Sequence, residues 1–159
     1  MKIYPLIISV FLVAACASTP KFETTGVDFS LNPAAVTQNL KPQQNKKIIW
    51  GGVIINTSNL KTYTAIEMLA YPIDSSYLPL RDQKPLGRFL IHHDGFLEPS
   101  EYAQGRMLSV LGKIERLQKG NVGESVYLYS VIRSQQLHLW PADSGQSKTR
   151  FSFGIGVRL

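Results

Sequence analysis

Residues 47–141 predict an all-β domain, a small antiparallel barrel of about six strands with one or two short helices. Three observations carry this. Short runs rich in Val, Ile, Tyr, Phe and Trp recur, Gly, Pro and Asn punctuate them, and no helical period is sustained. Spacing of this kind favours a closed or sandwiched sheet.

The first strand is "KIIWGGVIIN", Lys47 to Asn56, with Gly51 and Gly52 inside it. Glycines within a strand mark a bulge, a tight bend or the close approach of another backbone. The second, Tyr63 to Tyr71, puts Thr64, Ile66, Met68 and Ala70 on one face and ends at Pro72. Gly87 to His93 and Arg106 to Leu117 supply the third and fourth, the latter with Leu108, Val110, Gly112 and Ile114 on one face. Ser125 to Arg133 and Gln135 to Trp140 give the last two. Between the third and fourth lies "DGFLEPSEYAQG", read as a short capped helix with Pro99 in its first turn and Gly105 at its end, and with Phe96 and Leu97 anchoring the loop in the core. By analogy of strand count and helix content, the leading topology is an oligonucleotide/oligosaccharide-binding-like (OB-like) barrel.

Ahead of this domain, residues 16–46 read as a tether. Ser, Thr, Pro and Gly lead it and "KPQQNK" closes it. Its one structured piece is "LNPAAVTQNL", where Asn32 caps a helix, Pro33 fits the first position and Lys41-Pro42 stops it. That helix is expected to pack loosely. Residues 142–159 form a tail that alternates Phe151, Phe153, Ile155, Val157 and Leu159 with polar or small residues, a weak extra strand or an amphipathic segment.

Residues 1–15 have the form of an export signal: Lys2, an apolar run from Ile3, and the small pair Ala14-Ala15. As a helix the run rises about 20 Å, against roughly 30 Å of bilayer hydrocarbon, too little to span. The sole cysteine, Cys16, follows directly in "VAAC", so no disulfide forms within the chain. The segment resembles the bacterial lipobox. That resemblance implies cleavage before Cys16, a diacylglyceryl group on its thiol and an acyl chain such as palmitate on its amine. Each buried CH₂ contributes about 0.8 kcal/mol, and about two chains suffice for stable anchoring. Ala17 is not the Asp that retains lipoproteins in the inner membrane, so the resemblance points to the outer membrane of a Gram-negative cell. The chain carries 17 basic and 11 acidic residues, and removal of residues 1–15 takes only Lys2 from them. An exported basic protein meets no nucleic acid, but does meet anionic envelope components.

The stretches "WGGVI", "YPID", "GRFL", "GFLEPSEYAQGR", "VLGKI", "GESVYLYSV" and "HLWP" occur in order between Trp50 and Pro141. Together they resemble the Slp family, starvation-inducible-type outer-membrane lipoproteins. Departures fall at Glu98, where Asp is common, and at Ser130, where Pro is. The resemblance implies location and fold and brings no catalytic residue, ligand or cofactor.

Candidate sites are few. Arg88 and Arg106 each follow a glycine, placed either to bind an anion or to pair with Glu98, Glu101 or Asp94. Trp50, Tyr127, Tyr129 and Trp140 form either an aromatic platform or core packing. Gly95 to Pro99 form either a ligand loop with Glu98 poised at a helix N-terminus or a structural loop in which Glu98 favours the positive end of the helix dipole. His92 and His93 are adjacent on a strand and point to opposite faces, so one metal ion does not easily take both, and no metal site is expected. No nucleophile motif is present. The sequence therefore reads as a non-enzymatic lipoprotein, held to the outer membrane by Cys16, facing the periplasm, with a structural or stress-related envelope role. Two other readings stand: a binding module for an anionic envelope component such as peptidoglycan or lipopolysaccharide, or for a small ligand, through Arg88, Arg106 and the aromatic residues; and a hydrolase using His92 or His138. Another envelope protein is a further partner class.

Overall fold

The computed structural model describes residues 19–142. Cys16, the export signal of residues 1–15 and the tail from residue 143 onward lie outside the described residues. Five strands close into one barrel: β1 (Lys47–Asn59), β2 (Tyr63–Tyr71), β3 (Arg88–Asp94), β4 (Met107–Val122) and β5 (Ser125–Leu139). Their order around the barrel is β1-β2-β3-β5-β4, and β4 pairs back onto β1. Strand number and Greek-key order agree with an OB-like barrel. The sheet is not wholly antiparallel, since β3 and β5 run parallel over Phe89 to His92 and Ser130 to Arg133.

The count is five because the last two expected strands are one. At Ser134-Gln135 the register shifts against Leu111/Gly112, so an extra residue in β5 looks like a boundary in the sequence. A second shift leaves Glu115 of β4 without a partner, and a third lies at Ile55 in β1. Such bulges bend a strand and increase its twist, which a five-stranded barrel requires.

Period-two patterning fills the interior. Thr64, Ile66 and Met68 are fully buried, Ala70 nearly so, and Phe89, Ile91, Leu108, Val110, Ile114 and Ile132 meet them. The glycines of β1 and β4 permit close contact. A Cβ on Gly52 would lie 2.2 Å from the Leu69 carbonyl oxygen, and one on Gly112 2.5 Å from that of Arg133.

Residues 19–46, read as a tether with a loosely packed helix, lie against the barrel. Helix α1 (Pro33–Gln38) is capped by Asn32, whose Oδ1 accepts from the Ala35 N–H at 2.9 Å. It inserts Val36, fully buried, among the core residues. The Ser130 hydroxyl donates to the Pro33 carbonyl at 3.1 Å and the Trp50 indole N–H to that of Leu31 at 2.8 Å. Asp28 N–H bonds Lys47 O at 2.8 Å, and Phe22 stacks edge-on against Tyr77 at 5.3 Å. The polar composition hid a segment that docks through Phe22, Leu31, Val36 and Leu40.

The expected helix at Pro99 is a single turn in which the Glu101 and Tyr102 N–H groups donate to Glu98 O. Phe96 is 69% exposed and does not anchor that loop. Instead, Leu97 packs against the core, and Asn59 and Thr64 hold the Leu97 and Gly95 carbonyls.

Candidate functional site

Three of the five residues singled out as ligand-binding come together on the outer face of β2, β3 and β5. Glu67, which the sequence did not mark, is their hub. Its Oε1 accepts from Arg88 Nη1 at 2.7 Å and from the Tyr129 hydroxyl at 2.9 Å. The Tyr127 hydroxyl accepts from the Arg88 backbone N–H at 2.9 Å, and the two tyrosine rings meet edge-on at 4.8 Å. Burial, then the hydrogen bond to and charge of Glu67, push the Tyr129 phenol up to about 12. The Glu67 hydrogen bond holds Arg88 still more firmly protonated. The arginine is thus committed to Glu67 rather than to Asp94, Glu98 or Glu101.

Trp50 and Arg106 lie elsewhere. The Trp50 ring packs edge-on against Phe89 at 5.2 Å inside the barrel. Arg106 spends its guanidinium on two carbonyls, that of Glu101 at 3.2 Å and that of Trp140 at 2.8 Å.

A second polar cluster occupies the same face. The bulge at Glu115 aims its carboxylate at Arg133 Nη2, 3.2 Å away, and Arg116, 3.2 Å away; Arg133 also bridges to Asp94. His92, nearly fully buried, stacks on Tyr63 at 4.5 Å and lies 3.9 Å from Glu115. Burial, and after it the charge of Arg116, lowers its pKa, against the opposing pull of Glu115. His93 instead bonds Ser134 through Nδ1 at 2.8 Å, and His138 packs against Trp140 at 4.4 Å. Among the described residues no three His, Cys, Asp or Glu side chains converge.

A concavity among the described residues is different in character. A groove of about 520 Å³ runs between residues 29–33 and the connection from β2 to β3. Leu31, Ile49, Trp50, Ile73, Tyr77 and Leu86 give it a mostly apolar wall. Phe29, 59% exposed, stands at its edge. Tyr77 holds a left-handed φ of 69°, a conformation that costs a non-glycine residue about 1 kcal/mol. Two bonds fix it there: its N–H to Asp74 O at 2.9 Å, and its carbonyl to the Ser109 hydroxyl at 2.6 Å. Ser109 in turn accepts from the Trp140 indole at 2.9 Å. The strained turn presents the tyrosine ring to Phe22 and to the groove together. Asp74 is the acidic group of the wall; its Oδ1 takes the Ser76 N–H, the Ser76 hydroxyl and the Leu78 N–H at 2.7–3.0 Å. Burial alone would raise its pKa, but these bonds together lower it.

No sequence signal marked the groove, because its wall draws on residues far apart in the chain. The four residues of "YPID", Tyr71 to Asp74, all line it.

Comparison with known proteins adds lineage. A protein of Haemophilus influenzae described as uncharacterized is 30% identical over 138 residues, covering 82% of this chain and 71% of its own. The outer membrane protein Slp of Escherichia coli is 30% identical over 132 residues, with 82% and 70% covered. The E. coli lipoprotein YeaY, also described as uncharacterized, is 26% identical over 91 residues, covering 57% of this chain and 47% of its own. The family described as outer membrane lipoprotein Slp matches residues 13–154. With that match spanning both the cysteine segment and the whole barrel, the chain belongs to the Slp family of outer membrane lipoproteins.

Proposed function

We propose that this protein is a non-catalytic lipoprotein held in the outer membrane by a lipidated Cys16, with its barrel on the periplasmic side, and that it serves the envelope under stress by holding a ligand or partner. The docked N-terminal segment carries the reading. Phe22 is fixed on Tyr77, so only five residues lie between it and Cys16, about 21 Å from Cα to Cα when fully extended. A chain anchored at Cys16 keeps its barrel close to the leaflet, as a membrane-associated module requires.

The non-catalytic part rests on the polar clusters. Glu67 and Glu115 are engaged by arginines, and His92 is packed under Tyr63. None of them lines the apolar groove. The alternative, an anionic envelope ligand bound through Arg88 and Arg106, has less support, because both guanidinium groups already serve protein acceptors. Salt-sensitive retention on peptidoglycan or lipopolysaccharide, lost in an Arg88→Gln variant, would favour it.

The deciding experiment is the intact mass of the protein from purified outer membranes beside a Cys16→Ser version. The expected result is a chain starting at residue 16 that carries diacylglyceryl and acyl mass, absent from the variant. An unmodified thiol would overturn the anchoring.

A further inference from the structure

A scaffold has no need of the groove, and its volume of about 520 Å³ falls within the roughly 300–1,000 Å³ of small-ligand sites. Two observations say what it would hold. The first is position: Phe22 packs on Tyr77, a residue of the groove wall, so anchorage at Cys16 holds Phe22 within about 21 Å of the attachment and the groove directly beside it. Membrane lipid is the most concentrated apolar solute there. The second is charge: the groove wall is apolar apart from a few small polar residues and the Asp74 carboxylate, and among the described residues Asp74 Oδ2 accepts no hydrogen bond. A carboxylate at the edge of an apolar groove repels a fatty acid and favours an ammonium group.

We propose that the groove takes one acyl chain of an amine-bearing membrane lipid, with the ammonium toward Asp74 and the chain between Phe29, Ile73 and Tyr77. The proposal rests on the anchored reading only for the source of the lipid. The chain would cover Phe29, whose exposure is otherwise unexplained, and would use the wall for which Tyr77 is held in strain.

The test is native mass spectrometry of the exported Cys16→Ser chain with 1-palmitoyl lysophosphatidylethanolamine below its micellar concentration. The expected result is a one-to-one complex, several-fold weaker with palmitate. Ser75 is exposed at the groove edge, so Ser75→Trp should block the mouth and abolish the complex while the unfolding midpoint holds. Phe29→Asp, at an exposed position, is the second variant and should weaken it. No complex with folded protein, a complex undiminished in both variants, or equal binding of palmitate would overturn the proposal. The intact mass of the natural protein decides the anchoring separately, so the two readings fail independently.

Discussion

The Tyr129 hydroxyl and the Arg88 guanidinium donate to the same carboxylate oxygen of Glu67, at 2.9 and 2.7 Å. Three strands are thereby tied on one face, β2 through Glu67, β3 through Arg88 and β5 through Tyr129. Glu67→Gln removes the charge that helps hold the Tyr129 phenol at about 12 and leaves Arg88 as the dominant neighbour. The Tyr129 pKa should therefore fall, read by ultraviolet titration against a Tyr129→Phe reference. Stability should drop by about 1–3 kcal/mol, since a charged donor loses its partner. An unchanged titration would mean that burial alone sets the phenol.

His92 makes stability sensitive to mild acid. Its folded pKa lies below the ordinary 6.5, because burial and the charges of Arg116 and Arg133 outweigh the attraction of Glu115. The unfolded state therefore takes up the proton first. The stability contributed by neutral His92 is fully present above about pH 6.5 and is lost as pH falls through the lower folded value. Denaturant midpoints between about pH 7 and 5 should decline more steeply in the natural protein than in His92→Gln. Identical slopes would remove His92 from the acid response.

Gly52 and Gly123 should respond differently to alanine. At Gly52 the new Cβ meets the Leu69 carbonyl oxygen at 2.2 Å, and no rotamer relieves a clash between backbone and Cβ. Loss of about 3 kcal/mol or more, or failure to fold, is expected from forcing β1 off β2. Gly123 sits in the turn from β4 to β5 at φ +59° with nothing within 4 Å, so Gly123→Ala should cost about 1 kcal/mol. Similar costs at the two positions would mean that the close approach is not what β1 requires.

Much of the barrel was legible because alternation survives wherever one face is buried. Thr64, Ile66, Met68 and Ala70 read as one face in the sequence and lie together inside. The bulges were harder, because an inserted residue such as Gln135 breaks the alternation and imitates a strand end. Asn32 signalled its helix correctly, yet the docking of that helix depended on distant partners, Ser130 and the core around Val36. For the polar face, Arg88, Tyr127 and Tyr129 were visible as chemistry, but the choice of Glu67 as their acceptor is a matter of cross-strand register, Leu69 opposite Arg88 and Glu67 opposite Leu90. The groove escaped entirely, since a concavity between a leader segment and a strand connection has no periodicity of its own.

Trp50 is the clearest test of whether the leader segment belongs to the folded domain. Its indole donates to Leu31 O at 2.8 Å while its ring packs on Phe89, so Trp50→Phe removes the donor and keeps an aromatic ring in the core. The direct cost is about 1 kcal/mol for the lost bond. Amide exchange around residues 28–36 should accelerate, while the paired amides of β2 and β3 keep their protection. In the lipid-anchored reading proposed above, the effect bears on the distance from the membrane. With the segment docked, the chain from Cys16 to its first ring contact at Phe22 spans about 21 Å at most. Freed as far as Lys47, where β1 begins, it could reach on the order of 100 Å. A lipid-anchored Trp50→Phe protein should therefore show a larger mean distance between a label on Lys61 and the bilayer by energy transfer. An unchanged distance with accelerated exchange would show that the remaining ties, Asp28 to Lys47 and Ser130 to Pro33, suffice to hold the barrel at the leaflet.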